Sequence, residues 1–296
     1  VPMESQMIDV KDLIEAGVHF GHKTSKWSPK MSPFIWGARN KVHLIDVSKT
    51  ALLLNHACNS IKAIALTGKT VLWVGTKKPA QASIRNAGTE LSMPAVYHRW
   101  IGGTLTNFDQ VKKAVKRLLH LRDAVEKPLL TLKKKEIVRL QKEVGRLEKN
   151  VGGIVGLKGK PALLVVVDAK KERTAIKEAV NSGIPVIGIV DTNTNPEGID
   201  IIIPSNDDSP RALSLIINQL VKAAGEGASV FAEKKRKEKE ELEKEREAKK
   251  VKPVIQKAPE VKAAASAEKP KQKEAFKPQT TKLPLRTEPS KPEAPK

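Results

Sequence analysis

The feature that most constrains the fold is a short apolar run, Leu163 to Asp168, whose last residue is an acid. The five residues before the aspartate are all Leu or Val. Such a run is typical of a strand buried on both faces, because a half-exposed strand alternates apolar and polar residues. Similar runs follow at 186–191 and 201–204, and residues 171–183 show helical spacing and end on a glycine. This succession predicts a right-handed βαβ unit of a parallel sheet.

The same alternation of strands and helices occurs in the first third of the chain. Strands are predicted at 42–47 and 71–75, with a short one at most within 95–100. Helices are predicted at 9–16, 48–66, 79–91 and, near the end of the sheet domain, 210–224. The sequence therefore predicts an α/β fold with a doubly wound, flavodoxin-like parallel sheet.

Residues 104–151 have a different pattern. Their second half carries apolar residues at alternating spacings of three and four, which is a heptad seam: Ile137, Leu140, Val144, Leu147 and Val151. Pro128 lies where two helices would reverse direction, and the pairs Gly102-Gly103 and Gly152-Gly153 bracket the segment. We predict an inserted antiparallel helical hairpin of coiled-coil type. With 13 Lys or Arg against 6 Asp or Glu, it carries a charge of +7.

The last part of the chain cannot form a core. Residues 233–250 alternate Lys and Glu, and the following residues are rich in Lys, Pro and Ala. We predict a disordered, charged tail over 233–296, with helix at most at its start. The predicted organisation is a sheet domain of residues 1–103 and 152–232, a hairpin of residues 104–151, and this tail.

The net charge of +21 over 296 residues indicates a polyanionic partner, most commonly nucleic acid. No segment approaches the roughly 18 apolar residues of a spanning helix, so no membrane partner is expected. The single cysteine, Cys58, cannot form an internal disulfide, which favours a reducing compartment and a cytoplasmic location.

The motifs do not support catalysis. Gly75-Thr76-Lys77-Lys78 follows a predicted strand, but the phosphate loop Gly-x-x-x-x-Gly-Lys-Ser/Thr is absent, and no Gly-x-Gly-x-x-Gly follows any strand. No nucleophile has a base beside it. We expect no enzyme activity and no small-molecule substrate. The alternative is a signalling or enzymatic α/β domain that uses acids at the sheet edge, although such a domain gains nothing from a basic hairpin.

Four acids lie at or just after the carboxyl ends of successive predicted strands: Asp168, Asp191, Asp207 and Asp208. In parallel sheets these ends share one edge, where α/β proteins place their sites. The acids could simply cap turns and helices. Alternatively, His22, Asp191, Asp207 and Asp208 bind one structural zinc ion, because imidazole with carboxylate suits zinc better than magnesium.

Cations lie beside aromatic residues in two stretches, 23–39 and 98–100, a pattern that suits phosphate contact and stacking on unpaired bases. For Trp27 and Trp36, packing on the domain is an equal alternative. The predicted RNA-binding residues are Lys23, Lys26, Trp27, Lys30, Arg39, Lys77, Lys78, Arg99 and Trp100, with Lys112, Lys113, Lys116 and Arg117 on the hairpin.

A series of motifs, taken in order, resembles one family, that of the second protein of the bacterial small ribosomal subunit. The match covers about residues 8–228. The motifs are His19-Phe20-Gly21-His22, Trp27-Ser28-Pro29-Lys30-Met31, Gly75-Thr76-Lys77-Lys78, His98 to Asn107, Leu147 to Gly153, Val190-Asp191-Thr192-Asn193 and Pro204 to Asp208.

This resemblance implies a structural, non-catalytic component of the ribosome that packs on small-subunit rRNA between head and body. It also implies a role late in subunit assembly, contacts with neighbouring small-subunit proteins, and a docking surface for the messenger-binding protein one of the subunit.

Overall fold

The structure, a computed structural model, describes residues 9–126 and 134–251. Its helices are α1 Val10–Glu15, α2 Val47–Ala65, α3 Lys78–Glu90, α4 Phe108–Glu126, α5 Lys134–Val151, α6 Arg173–Asn181 and α7 Pro210–Val251. Its strands are β1 Phe20–Lys23, β2 Ile35–Arg39, β3 Val42–Ile45, β4 Val71–Val74, β5 Ala95–Val96, β6 Leu163–Val167, β7 Val186–Val190 and β8 Ile201–Pro204.

Five strands form a parallel sheet in the order β5-β4-β6-β7-β8. All residues of β4, β6 and β7 are buried. Alternate residues of β6 enter two different cores, with Leu163, Val165 and Val167 on one face and Leu164 and Val166 on the other. A strand covered on both faces has no solvent side, which explains its continuous apolar sequence. The predicted doubly wound α/β fold is confirmed.

A second, antiparallel sheet has the order β1-β3-β2. It was not predicted: residues 42–47 are predicted as the first strand of the alternating strands and helices, and no strand is predicted before them. Strands β2 and β3 are joined at Asn40 and Lys41, both with positive φ, 51° and 61°. Two consecutive residues of that conformation match a tight hairpin turn, which asparagine tolerates well.

Helices α4 and α5 pack against each other and against the short 3₁₀ turn Gly152–Ile154 that returns the chain to the sheet. Val111, Val115 and Leu118 of α4 and Val151 of α5 are buried in the core on one side of the sheet. The inserted helix pair is therefore confirmed. The predicted turn at Pro128 lies outside the described residues.

Two large apolar residues of the predicted helices are exposed. Leu52 of α2 is 68% exposed, whereas Leu54 is fully buried, and Val180 of α6 is 53% exposed. Residues 51–54 are all apolar, so their spacing alone could not identify the inner face of α2.

Helix α7 continues far beyond the predicted end at residue 224 and includes residues 233–251. The tail therefore begins as helix, because Lys and Glu are good helix formers and Arg236 and Glu240 pair one turn apart at 3.6 Å. The contacts divide the chain into Val1–Lys244 and Glu245–Lys296. Of the second unit, only residues 245–251, which are helical, are described. The disorder predicted for 252–296 falls outside the described residues.

Among the described helices, none combines the length and the apolar character needed to cross a membrane.

Candidate functional site

Buried acids gather at the carboxyl edge of the parallel sheet. Asp168 follows β6, Asp191 follows β7 and Asp207 lies just beyond β8, with exposures of 8%, 1% and 1%. The backbone N–H of Asp207 donates to Oδ2 of Asp191 at 3.4 Å. The predicted adjacency of the two loops is thus confirmed, because parallel neighbouring strands bring their ends to one edge.

The small sheet brings His22 to these acids. The backbone N–H of His22 donates to the Thr192 hydroxyl at 2.9 Å, and Gly21 lies so close that an added Cβ would sit 2.7 Å from Thr192. Nδ1 of His22 is then 2.9 Å from Oδ2 of Asp191, and Nε2 is 3.4 Å from Oδ2 of Asp208. His22 thus links the amino-terminal segment to the sheet edge.

Lys77, the residue that immediately precedes α3, enters the same cluster. Its Nζ is 2.7 Å from Asp207, 2.6 Å from Asp208 and 3.8 Å from Asp168. The sequence assigned Lys77 to RNA contact, whereas the structure places its ammonium group in ion pairs with three acids. Asp208, unlike Asp207, is 61% exposed, so it forms the outer rim of the cluster.

The pKa shifts follow from this crowding. Burial raises the pKa of Asp207 to about 7, with Asp191 and Asp168 adding to the rise and Lys77 opposing it. The hydrogen bond to Asp191 raises the pKa of His22 against the opposing effect of burial. Burial lowers the pKa of Lys77, but its hydrogen bonds to Asp207 and Asp208 outweigh burial and leave it raised. The cluster therefore favours positive charge.

Three of the predicted metal ligands could meet on one ion. One ligand atom each from His22, Asp191 and Asp207 lies within 4.8 Å of the others. Two ligands of one zinc ion are at most ~4.2 Å apart, because each bond is about 2.1 Å. A small inward movement would therefore suffice, and Asp208 lies close enough to His22 to join the set.

Two further buried acids were missed from sequence. Glu172 accepts from the backbone N–H and hydroxyl of Thr76. Glu178 accepts hydrogen bonds from Trp100, Gly103, Leu105 and Thr106. The available signal was the position of Glu178 between Ile176 and Ala179, on the apolar side of α6, where an acid requires buried partners.

Most of the predicted RNA-binding residues lie on the surface. The exposed ones are Lys23, Lys26, Trp27, Lys30, Arg39, Lys78, Arg99, Lys112, Lys113, Lys116 and Arg117. Lys30 is paired with Glu197 and Arg117 with Glu143. Trp100 differs because it is only 9% exposed and lies in the core, so its ring offers no face for stacking.

The two tryptophans of the amino-terminal segment also differ. Trp36 in β2 is 76% exposed. Trp27 is 41% exposed and stacks at a tilt on His43, with ring centroids 5.3 Å apart. Trp27 is thus partly packed on the small sheet, whereas most of the Trp36 ring faces solvent.

The comparisons with known proteins agree on one family. A family model described as ribosomal protein S2 matches residues 13–227. A relative from Pseudoalteromonas atlantica, named small ribosomal subunit protein uS2, is 46% identical over 221 residues, which cover 74% of this chain and 91% of the relative. Proteins of the same name from Roseobacter denitrificans and a Ruegeria species are 42% and 44% identical over 220 residues. Those matches cover 74% of this chain and 85% and 86% of the relatives.

Proposed function

The chain belongs to the ribosomal protein S2 family, and on that premise we propose that its basic hairpin binds small-subunit rRNA. The protein is a structural constituent of the small ribosomal subunit and not an enzyme. The alternative of a catalytic or signalling domain is therefore wrong.

The observation that carries the RNA proposal is a row of cations on α4. Lys112, Lys113 and Lys116 are exposed and take part in no ion pair with any residue of 9–126 or 134–251. The opposite side of the same helix is buried through Val111, Val115 and Leu118. The helix is thus anchored on one side and presents unpaired positive charge on the other, as phosphate binding requires.

The test is the salt dependence of binding to small-subunit rRNA. Replacing Lys112, Lys113 and Lys116 by Ala should weaken binding and reduce the log–log salt slope by about 2 to 3, because each lost phosphate contact contributes 0.7 to 0.9. The matched control replaces three exposed cations elsewhere, Lys11, Lys69 and Arg85, by Ala. Equal slopes in the two triple variants would contradict the hairpin as the RNA-binding element.

The proposal includes a late role in subunit assembly and a surface for the messenger-binding protein one. Its support is membership of the family together with exposed residues such as Trp36. The chain should sediment with small subunits in a magnesium-containing lysate and, if it joins late, be depleted from early precursors. Recovery only in free, slowly sedimenting fractions would contradict this role. Binding of protein one should require subunits that contain this chain.

We also propose that His22, Asp191 and Asp207, with Asp208 at the rim, bind a structural zinc ion. The supporting observation is that three ligand atoms, two of them on residues only 1% exposed, lie within 4.8 Å of one another. A cation there would offset the repulsion between the two buried carboxylates. It would also tie the small sheet to the main one. Its role would be structural, because the described residues around it include no nucleophile with a general base beside it.

Elemental analysis of the purified protein tests the zinc site. Wild type should contain about one zinc per chain, and His22→Ala should lose it and melt at a lower temperature. His56→Ala, which removes an exposed histidine from α2, is the control and should keep the metal. Absence of zinc from wild type, with unchanged melting of the variant, would show that these side chains serve only as caps and ion-pair partners.

A further inference from the structure

A cavity of about 520 Å³ lies between α6 and the loop that joins β7 to β8. Part of its wall is apolar, formed by the buried side chain of Ile176 and by Val180, which is 53% exposed. Gly198 completes this wall: a Cβ there would lie 3.1 Å from Val180 and 3.2 Å from Ile176. The volume and the apolar wall are in the range of sites for small organic groups, about 300 to 1,000 Å³.

Three cations line the same cavity. Arg173 and Lys177 are four residues apart in α6 and so lie on one side of the helix, and Lys170 lies in the turn before it. All three are exposed, and none forms an ion pair within the part of the chain that the structure describes. Such a group of unneutralised cations beside a cavity favours an anionic ligand.

The acid that lines the cavity does not neutralise these cations. The carboxylate of Glu197 is paired with Lys30, across the loop, and accepts from Nδ2 of Asn195 at 2.9 Å. The charge of Lys170, Arg173 and Lys177 is therefore left for a ligand.

The wall opposite α6 offers hydrogen-bonding groups. Asn193 accepts from the Thr194 hydroxyl at 2.8 Å through Oδ1, which fixes the orientation of its amide. Asn193 lines the cavity, and its Nδ2 has no hydrogen-bond partner in residues 9–126 and 134–251. A fixed side-chain amide of this kind can donate to an acceptor on the edge of a base.

We propose that this cavity binds one unpaired nucleotide, with its phosphate on Lys170, Arg173 and Lys177 and its base against Val180 and Ile176. Nδ2 of Asn193 donates to the base edge. The inference rests on the proposed RNA-binding function and adds a second, sheet-domain contact to that of the hairpin. A simple phosphate ion would leave the apolar wall uncovered, whereas a nucleotide uses the cations, the wall and the amide together.

The experiment compares matched variants of the full chain. One variant replaces Lys170, Arg173 and Lys177 by Ala, and its control replaces Lys11, Lys69 and Arg85, so both lose three exposed charges. A second variant, Val180→Glu, places a carboxylate in the cavity at an exposed position, and Leu52→Glu on α2 is its control. Both cavity variants should bind a short uridine oligonucleotide about tenfold more weakly than their controls.

Two ligands separate a nucleotide within RNA from a free one. The oligonucleotide and adenosine 5′-monophosphate are titrated into isotope-labelled protein, and amide shifts are followed at residues 193–198. Shifts with either ligand that vanish in the cavity variants support the site, and shifts with the monophosphate alone assign it to free nucleotides. No shifts with either ligand, or equal affinities of cavity and control variants, would overturn it.

The failure of this inference can be told apart from failure of the RNA-binding proposal. If wild type binds small-subunit rRNA and the cavity variants bind it as well as their controls, the cavity inference alone is wrong. If wild type binds no rRNA, the proposed function fails, and the monophosphate titration still decides whether the cavity holds a nucleotide.

Discussion

Oε1 of Glu178 in α6 accepts a hydrogen bond from the indole Nε1 of Trp100 across 3.1 Å, although the residues are 78 positions apart. The same oxygen accepts from the backbone N–H of Gly103 at 2.9 Å, and Oε2 accepts from that of Leu105 at 3.0 Å. One buried carboxylate thus fixes the loop from which α4 begins. The direction of the hairpin therefore depends on a residue of the sheet domain.

Replacing Glu178 by Ala should lower the free energy of unfolding by about 3 kcal/mol or more, because several buried donors lose their acceptor. Glu178→Gln should also destabilise, by less, since its amide NH₂ must face N–H donors. Hydrogen exchange should become faster at Gly103 and Leu105 in both variants. Glu15→Gln, at an exposed position, is the control for the lost charge. Wild-type exchange rates in Glu178→Ala would contradict the role of Glu178 in holding this loop.

The return of the chain from α5 depends on Gly153. A Cβ at this residue would lie 1.8 Å from the carbonyl oxygen of Ala95 in β5. Gly153→Ala should therefore destabilise by about 1 to 3 kcal/mol, as overpacking commonly does. Gly145, within α5, has nothing within 4 Å of such a Cβ, so Gly145→Ala should stabilise by up to about 1 kcal/mol. Denaturant melts of the two variants should shift in opposite directions; a common direction would contradict this account.

Cys58, the only cysteine of the chain, should react slowly with alkylating reagents. Burial, together with the nearby Glu226, raises the pKa of its thiol to about 11. The thiolate is the reactive form, so alkylation at pH 8 should be about a hundredfold slower than for a free cysteine. Mass spectrometry of the labelled protein measures the rate, and labelling of urea-unfolded protein is the control. Equal rates in folded and unfolded protein would contradict the burial of this thiol.

The stability difference between wild type and Glu172→Gln should depend on pH. Burial raises the pKa of Glu172 above its ordinary value of 4.5, although the hydrogen bonds from Thr76 oppose the rise. A raised folded-state pKa favours the protonated folded form. The contribution of Glu172 to stability is therefore full below pH 4.5 and is lost as the pH rises through the folded-state pKa.

Glu172→Gln keeps an acceptor for Thr76 without a buried charge. Its stability relative to wild type should be higher at pH 8 than at pH 4. Urea melts at several pH values measure this difference, with Glu15→Gln as the control for the change in net charge. A constant difference between pH 4 and pH 8 would mean that the two states have the same proton affinity at this site.

The parts of the fold that could be predicted have local causes. A strand covered on both faces must be apolar throughout, so β6 and β7 were evident from their sequences alone. The helix pair was evident because apolar residues at heptad spacing indicate which side of α5 packs against another helix. The small sheet was missed because two of its strands, β1 and β2, are short and only partly buried, so their sequences do not alternate clearly.

The sequence by itself determined the parallel sheet, the inserted helices and the basic character of the hairpin. Burial of a strand or of one helix face requires a pattern of apolar residues that are near one another in the sequence. Only the tertiary structure decided which polar groups meet. His22 reaches Thr192, 170 positions away, because β1 lies against the loop after β7. In the same way, contacts between distant segments bring Lys77 to Asp207 and place Trp100 in the core. The role of a polar side chain depends on its partners, and these come from segments far away in the sequence. Local sequence does not specify which distant segments meet.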